Sequence, residues 1–222
     1  MRILVIAAHP DDEILGCGGT INSYSRQGHE VYVYIVTDGS SAQYPNDIKK
    51  LNSKRREAVE ANKKLGVKKV IFGNLPDMKL DTVSHINLNG EIFKVVNEIR
   101  PDIVFTQHYG DVNKDHKLVF EATLVACRPT ENGVKKIYSY ETLSSTEWGN
   151  TNSSDFFIPN TYVRLTGEDI LNKKEAMNFY QTELRDYPHP RSLEAIENLA
   201  KYRGNQVIAS YAESFILIRE IK

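Results

Sequence analysis

Four short runs of apolar, mostly β-branched residues, at 3–8, 31–36, 70–72 and 103–105, constrain this chain more than any other feature. Each is too short for a helix, and none alternates apolar with polar residues. They therefore read as strands covered on both faces, the habit of a parallel sheet. Helical stripes lie between them. Ile14, Cys17, Gly18, Ile21 and Tyr24 make one; Leu51, Ala58, Ala61 and Leu65, ending at Gly66, make a second. Leu88, Ile92, Val95, Val96 and Ile99, stopped by Pro101, make a third, and Val119, Ala122, Thr123 and Ala126, before Pro129, a fourth. This alternation predicts an α/β fold: a three-layer, Rossmann-like, doubly wound and mostly parallel sheet with helices on both faces.

Beyond Pro129 the pattern loosens. Residues 136–140, 162–165 and 214–221 read as strands, 168–184 and 191–203 as helices, and 143–160 as a polar loop of a length uncommon unless functional. Across 222 residues there is no repeat or linker, so one domain over 1–222 is expected, with a core at 1–140 and a C-terminal elaboration at 141–222. Lys plus Arg number 28 against 29 Asp plus Glu, which leaves no basic excess for nucleic acid or an anionic membrane. The opening apolar run is too short for a signal peptide and no run is long enough to span a bilayer, so a cytoplasmic protein without a transmembrane segment is expected. Two cysteines, Cys17 and Cys127, are too few for a disulfide framework or an all-Cys zinc site. Any metal must rest on His and carboxylates.

Such residues cluster twice. The turn after the first strand reads Ala8-His9-Pro10-Asp11-Asp12-Glu13, and the segment after the fourth reads Gln107-His108-Tyr109-Gly110-Asp111-Val112-Asn113-Lys114-Asp115-His116. Open α/β sheets bind ligands beyond the carboxyl ends of their strands where strand order reverses, which in a mononucleotide-type order lies between the first and fourth. The two clusters are predicted to face each other there. His9, Asp12 and His116 with an open fourth position make a catalytic zinc shell. Asp11 and Asp12 diverge at a tight turn, so that one ligates while the other faces bound water. Helix N-capping for Asp12 and a first-turn charge for Glu13 are the competing structural roles.

The A-H-P-D-D-E turn, the Asp111-to-His116 element, and the C-terminal Tyr211-Ala212-Glu213-Ser214-Phe215 resemble the PIG-L/LmbE-type zinc-dependent N-acetylglucosaminyl deacetylases, over nearly the whole chain. The resemblance implies one Zn²⁺ per chain on His9, Asp12 and His116, Asp11 as general base and then acid, and Tyr211 as oxyanion donor. It implies an N-acetylated amino sugar or glycoconjugate as substrate, and it leaves a homo-oligomer open. Many relatives carry a His where this chain has Asn113, so Asp115 cannot form a His–Asp dyad; it either orients His116 or caps the helix starting there. Lys54 stands where relatives place an Arg. By family position Arg128, Arg191 and Arg203 reach the cleft, and a phosphorylated sugar would use such guanidinium groups. His108 and Asp111 are candidates for lining it.

Weaker signals complete the reading. Gly16-Cys17-Gly18-Gly19 departs from a dinucleotide fingerprint and is better explained by close helix–sheet packing. Trp148 is expected to anchor the polar loop rather than stack on a sugar, and that loop is a candidate lid. Two rival functions are a magnesium-dependent phosphoacceptor receiver domain and a noncatalytic metal- or sugar-binding protein of the same fold. The imidazoles argue against the first, Asp11 against the second.

Overall fold

The computed structural model describes residues 1–129, 133–149 and 153–222. Its sheet runs β3-β2-β1-β4-β5-β7-β6, with β1 Arg2–Ala7, β2 Glu30–Thr37, β3 Lys69–Leu75, β4 Ile103–Gln107, β5 Lys136–Tyr140, β6 Thr161–Leu165 and β7 Tyr211–Glu220. The first five strands are parallel. β7 runs antiparallel between β5 and β6, so the C-terminal elaboration extends the same sheet. The helices are α1 Asp12–Arg26, α2 Ile48–Lys64, α3 His85–Ile99, α4 Lys114–Ala126, α5 Gly167–Met177 and α6 Leu193–Asn205.

The unalternating strands are covered on both faces. Along β1, Ile3, Val5 and Ala7 join one apolar cluster with α1, α2 and the C-terminal helices, while Leu4 and Ile6 join another with α3 and α4. Strand order reverses between β1 and β4, whose carboxyl ends at Ala7 and Gln107 open onto one crevice. Among the described residues no helix is long and apolar enough to cross a membrane.

The glycine-rich start of α1 is a packing device. A Cβ on Gly16 would lie 2.2 Å from the Tyr140 ring, and one on Gly19 would lie 2.4 Å from Leu165. Glu213 enters this gap and accepts the Gly19 and Thr20 N–H groups at 2.9 and 2.7 Å, while Lys173 donates to Glu213 and to the Leu15 carbonyl at 2.7 and 2.8 Å. A buried ion pair thus ties the first helix to the last strand, each charge satisfied by the other and by backbone.

Two expectations are corrected. The helix anticipated over 168–184 ends at Met177, because the chain turns there to carry Tyr180 inward, where it is 1% exposed beneath the active-site turn. The described residues of 143–160 include the 3-10 turns Thr146–Trp148 and Ser153–Asp155, and Trp148 is 54% exposed instead of anchoring the loop.

Candidate active site

The turn from β1 into α1 is strained and held. Asp11 caps α1 with φ 109°, a left-handed conformation rare for a residue with a Cβ. Its carbonyl accepts the Ile14 and Leu15 N–H groups at 3.0 and 2.9 Å, and its own N–H donates to Glu13 Oε2 at 3.1 Å. Glu13 is no solvated first-turn charge: it is fully buried, and Oε1 accepts from Asn62 Nδ2 at 2.7 Å and Tyr180 Oη at 2.5 Å. Burial pushes its carboxyl up to about 7 against those hydrogen bonds. Asp12 is the first residue inside the helix and not the cap.

This turn sends Asp12 into the crevice. Its Oδ2 accepts from the His9 backbone N–H at 2.8 Å and from Gln107 Nε2 at 2.7 Å. His9 Nδ1 and His116 Nε2 lie 3.2 Å apart, and each is 3.3 Å from Asp12 Oδ2. The outer nitrogens face carboxylates: His9 Nε2 is 3.1 Å from Asp115 Oδ2, and His116 Nδ1 is 3.1 Å from Asp111 Oδ2. Asp115 takes the His9 Nε2–H, and the nearby Asp111 carboxylate favours the proton on His116 Nδ1, so in neutral imidazoles of that tautomer both inner nitrogens present lone pairs toward a carboxylate oxygen. Three lone-pair donors converging without a proton among them suit a cation. The triangle also has the right size, because tetrahedral zinc bonds of ~2.0–2.1 Å give a donor–donor edge of about 3.3 Å. The residues present therefore fit a zinc-type ion.

Without an ion the same cluster takes up protons. Burial alone would discourage the His9 cation, yet Asp115 and Asp12 raise the ring to about 10. His116, equally buried, is raised to about 9 by Asp12 and Asp111. Burial would likewise raise Asp12, but the two imidazoles hold it well below the usual carboxylate range.

Asp11 points into the same cavity, is 3% exposed, and burial lifts its carboxyl well above the usual value while Arg191 pulls it down. Its Oδ2 has no hydrogen-bond partner among the described residues, and Arg191 Nη1 stands 3.5 Å away. Arg191 also donates to Glu183 at 2.8 Å, and Glu183 accepts from Lys54 Nζ at 2.9 Å. A chain of alternating charge thus runs from α2 to Asp11. The cavity, about 580 Å³, is lined by Asp11, Asp77, Lys54, Arg191, Asn113 and Ser144 besides the donor triangle.

Other expected site residues lie differently. Asp115 neither orients His116 nor caps α4. It serves His9 and accepts the Leu80 N–H at 3.1 Å, while Asn113 Oδ1 caps the helix by accepting the Asp115 N–H at 2.9 Å. Orienting His116 falls to Asp111, which also accepts from Ser145 Oγ, and from Thr146 Oγ1 at 2.9 Å. Tyr211 lies outside the cavity, with its hydroxyl 3.5 Å from Glu197 on α6, because β7 starts beside β6 at the far edge of the sheet. His108 is turned away, with Nε2 on the Asp155 carbonyl at 2.8 Å and its ring packed against Tyr109 and Phe157. Arg128 ends α4 with Nε on the Val125 carbonyl at 3.2 Å, remote from the cavity, and Arg203 pairs with Glu141 at 2.6 Å. Gln107, Glu183, Asn62 and Tyr180 escaped sequence reasoning, since nothing in their local pattern distinguishes them from core or surface residues. Lys54 left one trace, its place where relatives carry Arg.

Comparison with known proteins finds relatives that include deacetylases. The family model described as "PIG-L: GlcNAc-PI de-N-acetylase" matches residues 4–127, a span holding the donor triangle and Asp11. An uncharacterized deacetylase of Escherichia coli, YaiS, is 32% identical over 151 residues, covering 64% of this chain and 75% of its own. A diacetylchitobiose deacetylase of Thermococcus kodakarensis is 31% identical over 110 residues, 46% of this chain and 39% of its own. The solved N,N'-diacetylchitobiose deacetylase of Pyrococcus horikoshii shares the fold, with TM-score 0.77 at 22% identity over 98% of this chain and 84% of that one.

Proposed function

This chain belongs to the PIG-L family, and from that premise we propose that it is a zinc-dependent deacetylase that hydrolyses the acetamide of an N-acetylglucosamine-type sugar or glycoconjugate, releasing acetate. The observation that carries this reading is the convergence of His9 Nδ1, His116 Nε2 and Asp12 Oδ2 beside the open carboxylate of Asp11. The reading favours catalysis over a purely binding role, because the buried and strained Asp11 has no place in a ligand shell.

His9, Asp12 and His116 would hold a divalent ion, which would supply an acidified water and a Lewis acid for the acetamide carbonyl. Asp11 Oδ2, free of hydrogen-bond partners, takes the proton of the attacking water. The tetrahedral adduct collapses as the C–N bond breaks, and Asp11 returns that proton to the departing nitrogen. One carboxyl therefore serves both transfers and finishes ionised. Arg191 stands close enough to favour the anionic form before and after the cycle, while Glu183 fixes the guanidinium from its other side. Since Tyr211 is remote, an oxyanion depends on other donors of the cavity lining, and the side-chain amide of Asn113 is one that carries no ion pair.

Acetate release from N-acetylated sugars, abolished by chelator and restored by zinc, is the direct test. Asp11→Asn is expected to keep the metal and lose roughly 10²–10⁴-fold in kcat. Wild-type turnover in a metal-replete Asp11→Asn protein would defeat the assignment.

A further inference from the structure

The floor of the cavity is polar, whereas its exposed lining, beside Gln43 and Lys114, presents three large apolar side chains. Met78, on the loop after β3, is 57% exposed; Val112, after β4, is 54% exposed; Trp148, after β5, is 54% exposed. All three line the cavity that contains the donor triangle. They come from three separate connections, so the rim is no by-product of one amphipathic element. Solvated apolar side chains gathered around a polar site mark a surface that a ligand covers.

The charges lining the cavity indicate what that ligand lacks. Lys54 and Arg191 are both engaged by Glu183, Arg191 also faces Asp11, and Lys114 pairs with Asp81 at 2.9 Å. A phosphate or carboxylate carried beyond the sugar ring would find no lysine or arginine of the lining without an acidic partner, and would have to break an ion pair to gain one. An apolar group there displaces water from three exposed apolar side chains and breaks nothing. The thioether of Met78 adapts to irregular shapes, and the indole of Trp148, which meets the His189 ring at 6.3 Å and 87°, offers a large stacking surface.

Resting on the deacetylase reading above, we propose that the acetamido sugar accepted here carries an apolar aglycone, aryl or alkyl, seated on Met78, Val112 and Trp148. The polar floor takes the sugar and the rim selects what is attached to it. A free monosaccharide leaves the rim wet and forgoes that contribution.

Trp148 is the chain's single tryptophan, so its fluorescence reports directly on the rim. In zinc-loaded Asp11→Asn protein, phenyl and hexyl N-acetyl-β-glucosaminides are expected to shield Trp148 from acrylamide. They are expected to bind about tenfold or more tightly than N-acetylglucosamine or its 1-phosphate. In the active enzyme the same glycosides are expected to exceed the free sugar by about tenfold in kcat/KM, mostly through KM. Trp148→Ala and Met78→Ser should each reduce that ratio by roughly threefold or more. Equal kcat/KM across the panel, preference for the phosphate, or a ratio indifferent to both substitutions would overturn the proposal. So would a Trp148 already protected from acrylamide in the ligand-free protein, the signature of a second copy covering the rim. If the zinc-loaded enzyme releases acetate from no N-acetyl sugar, the deacetylase reading fails instead, and the fluorescence titration still decides whether the rim takes an apolar glycoside.

Discussion

Glu13→Gln isolates the device that holds Asp11, the proposed base, in place. The Glu13 carboxylate serves three clients: Oε2 accepts the N–H of Asp11, and Oε1 accepts from Asn62 and Tyr180. A glutamine has one acceptor oxygen and one NH₂ group, so one client must face a donor. If the NH₂ turns to Asn62, that amide cannot answer by flipping, because its Nδ2 also donates to the Ala58 carbonyl at 2.9 Å. If it turns to Asp11, the backbone N–H at φ 109° loses its partner. Either arrangement strands a buried donor at about 1–3 kcal/mol, and the charge assistance of the remaining bonds is lost as well. A cost near 2 kcal/mol should lower Tm by about 4–8 °C in a chain of this size. Release of the Asp11 backbone shifts the base, and a displacement of ~1 Å costs about 10² in rate. The assay is kcat and KM for acetate release at measured zinc content, beside thermal melts, with Tyr180→Phe as comparison. Tyr180→Phe removes a hydrogen bond from Oε1 but leaves the Asp11 contact, so it should lower Tm while kcat stays within about threefold. A Glu13→Gln enzyme with full zinc and near-wild-type kcat, or a Tyr180→Phe enzyme equally slowed, would refute the positioning argument.

Other consequences follow from the same geometry. Asp115→Asn leaves one acceptor for two donors, the His9 ring and the Leu80 N–H, and should weaken zinc binding by about 10–100-fold in a chelator competition; unchanged affinity would return Asp115 to a structural role. Zinc loading at pH 7 should release about two protons, read from calorimetry in buffers of different ionisation enthalpy, because His9 and His116 titrate at about 10 and about 9 before loading. Both values are raised on folding, so the metal-free protein holds this stabilisation fully below the unfolded imidazole pKa and loses it as pH climbs through 9 and 10. Its Tm should fall over that interval, and a flat profile would contradict the pairing. Burial pushes the Cys127 thiol up to about 12 and Cys17 well above its usual value, so neither should react with iodoacetamide at pH 8 until the protein unfolds. Labelling of the native protein would show that one of them is reachable.

Much of the fold was legible because its signals are local. The apolar runs at 3–8 and 103–105 carry no alternation, which only a strand buried on both faces satisfies, and Gly66 and Pro101 mark helix ends within one residue or two. The triangle His9, Asp12 and His116 was legible too, because the switch point of a doubly wound sheet brings the turn after β1 against the turn after β4. The partners of those three side chains were not. Whether Asp111 or Asp115 meets His116 depends on where α4 begins, and Asn113 settles that by capping it two residues earlier than Asp115 would. Tyr211 belongs to a motif read as catalytic, yet its strand begins past the end of β5, paired there with the edge strand β6, and its hydroxyl meets Glu197.

By itself, then, the sequence determined the order of strands and helices and which imidazoles and carboxylates reach one crevice, since periodicity and chain connectivity carry that information. Only the tertiary structure decided which carboxylate orients which imidazole, that Glu13, Asn62 and Tyr180 hold the strained Asp11, and that Lys54, Glu183 and Arg191 form one chain of charge. These are contacts of about 3 Å between residues up to 167 positions apart. They are set by how layers pack and loops close, and no local pattern of residues encodes a distance across a core.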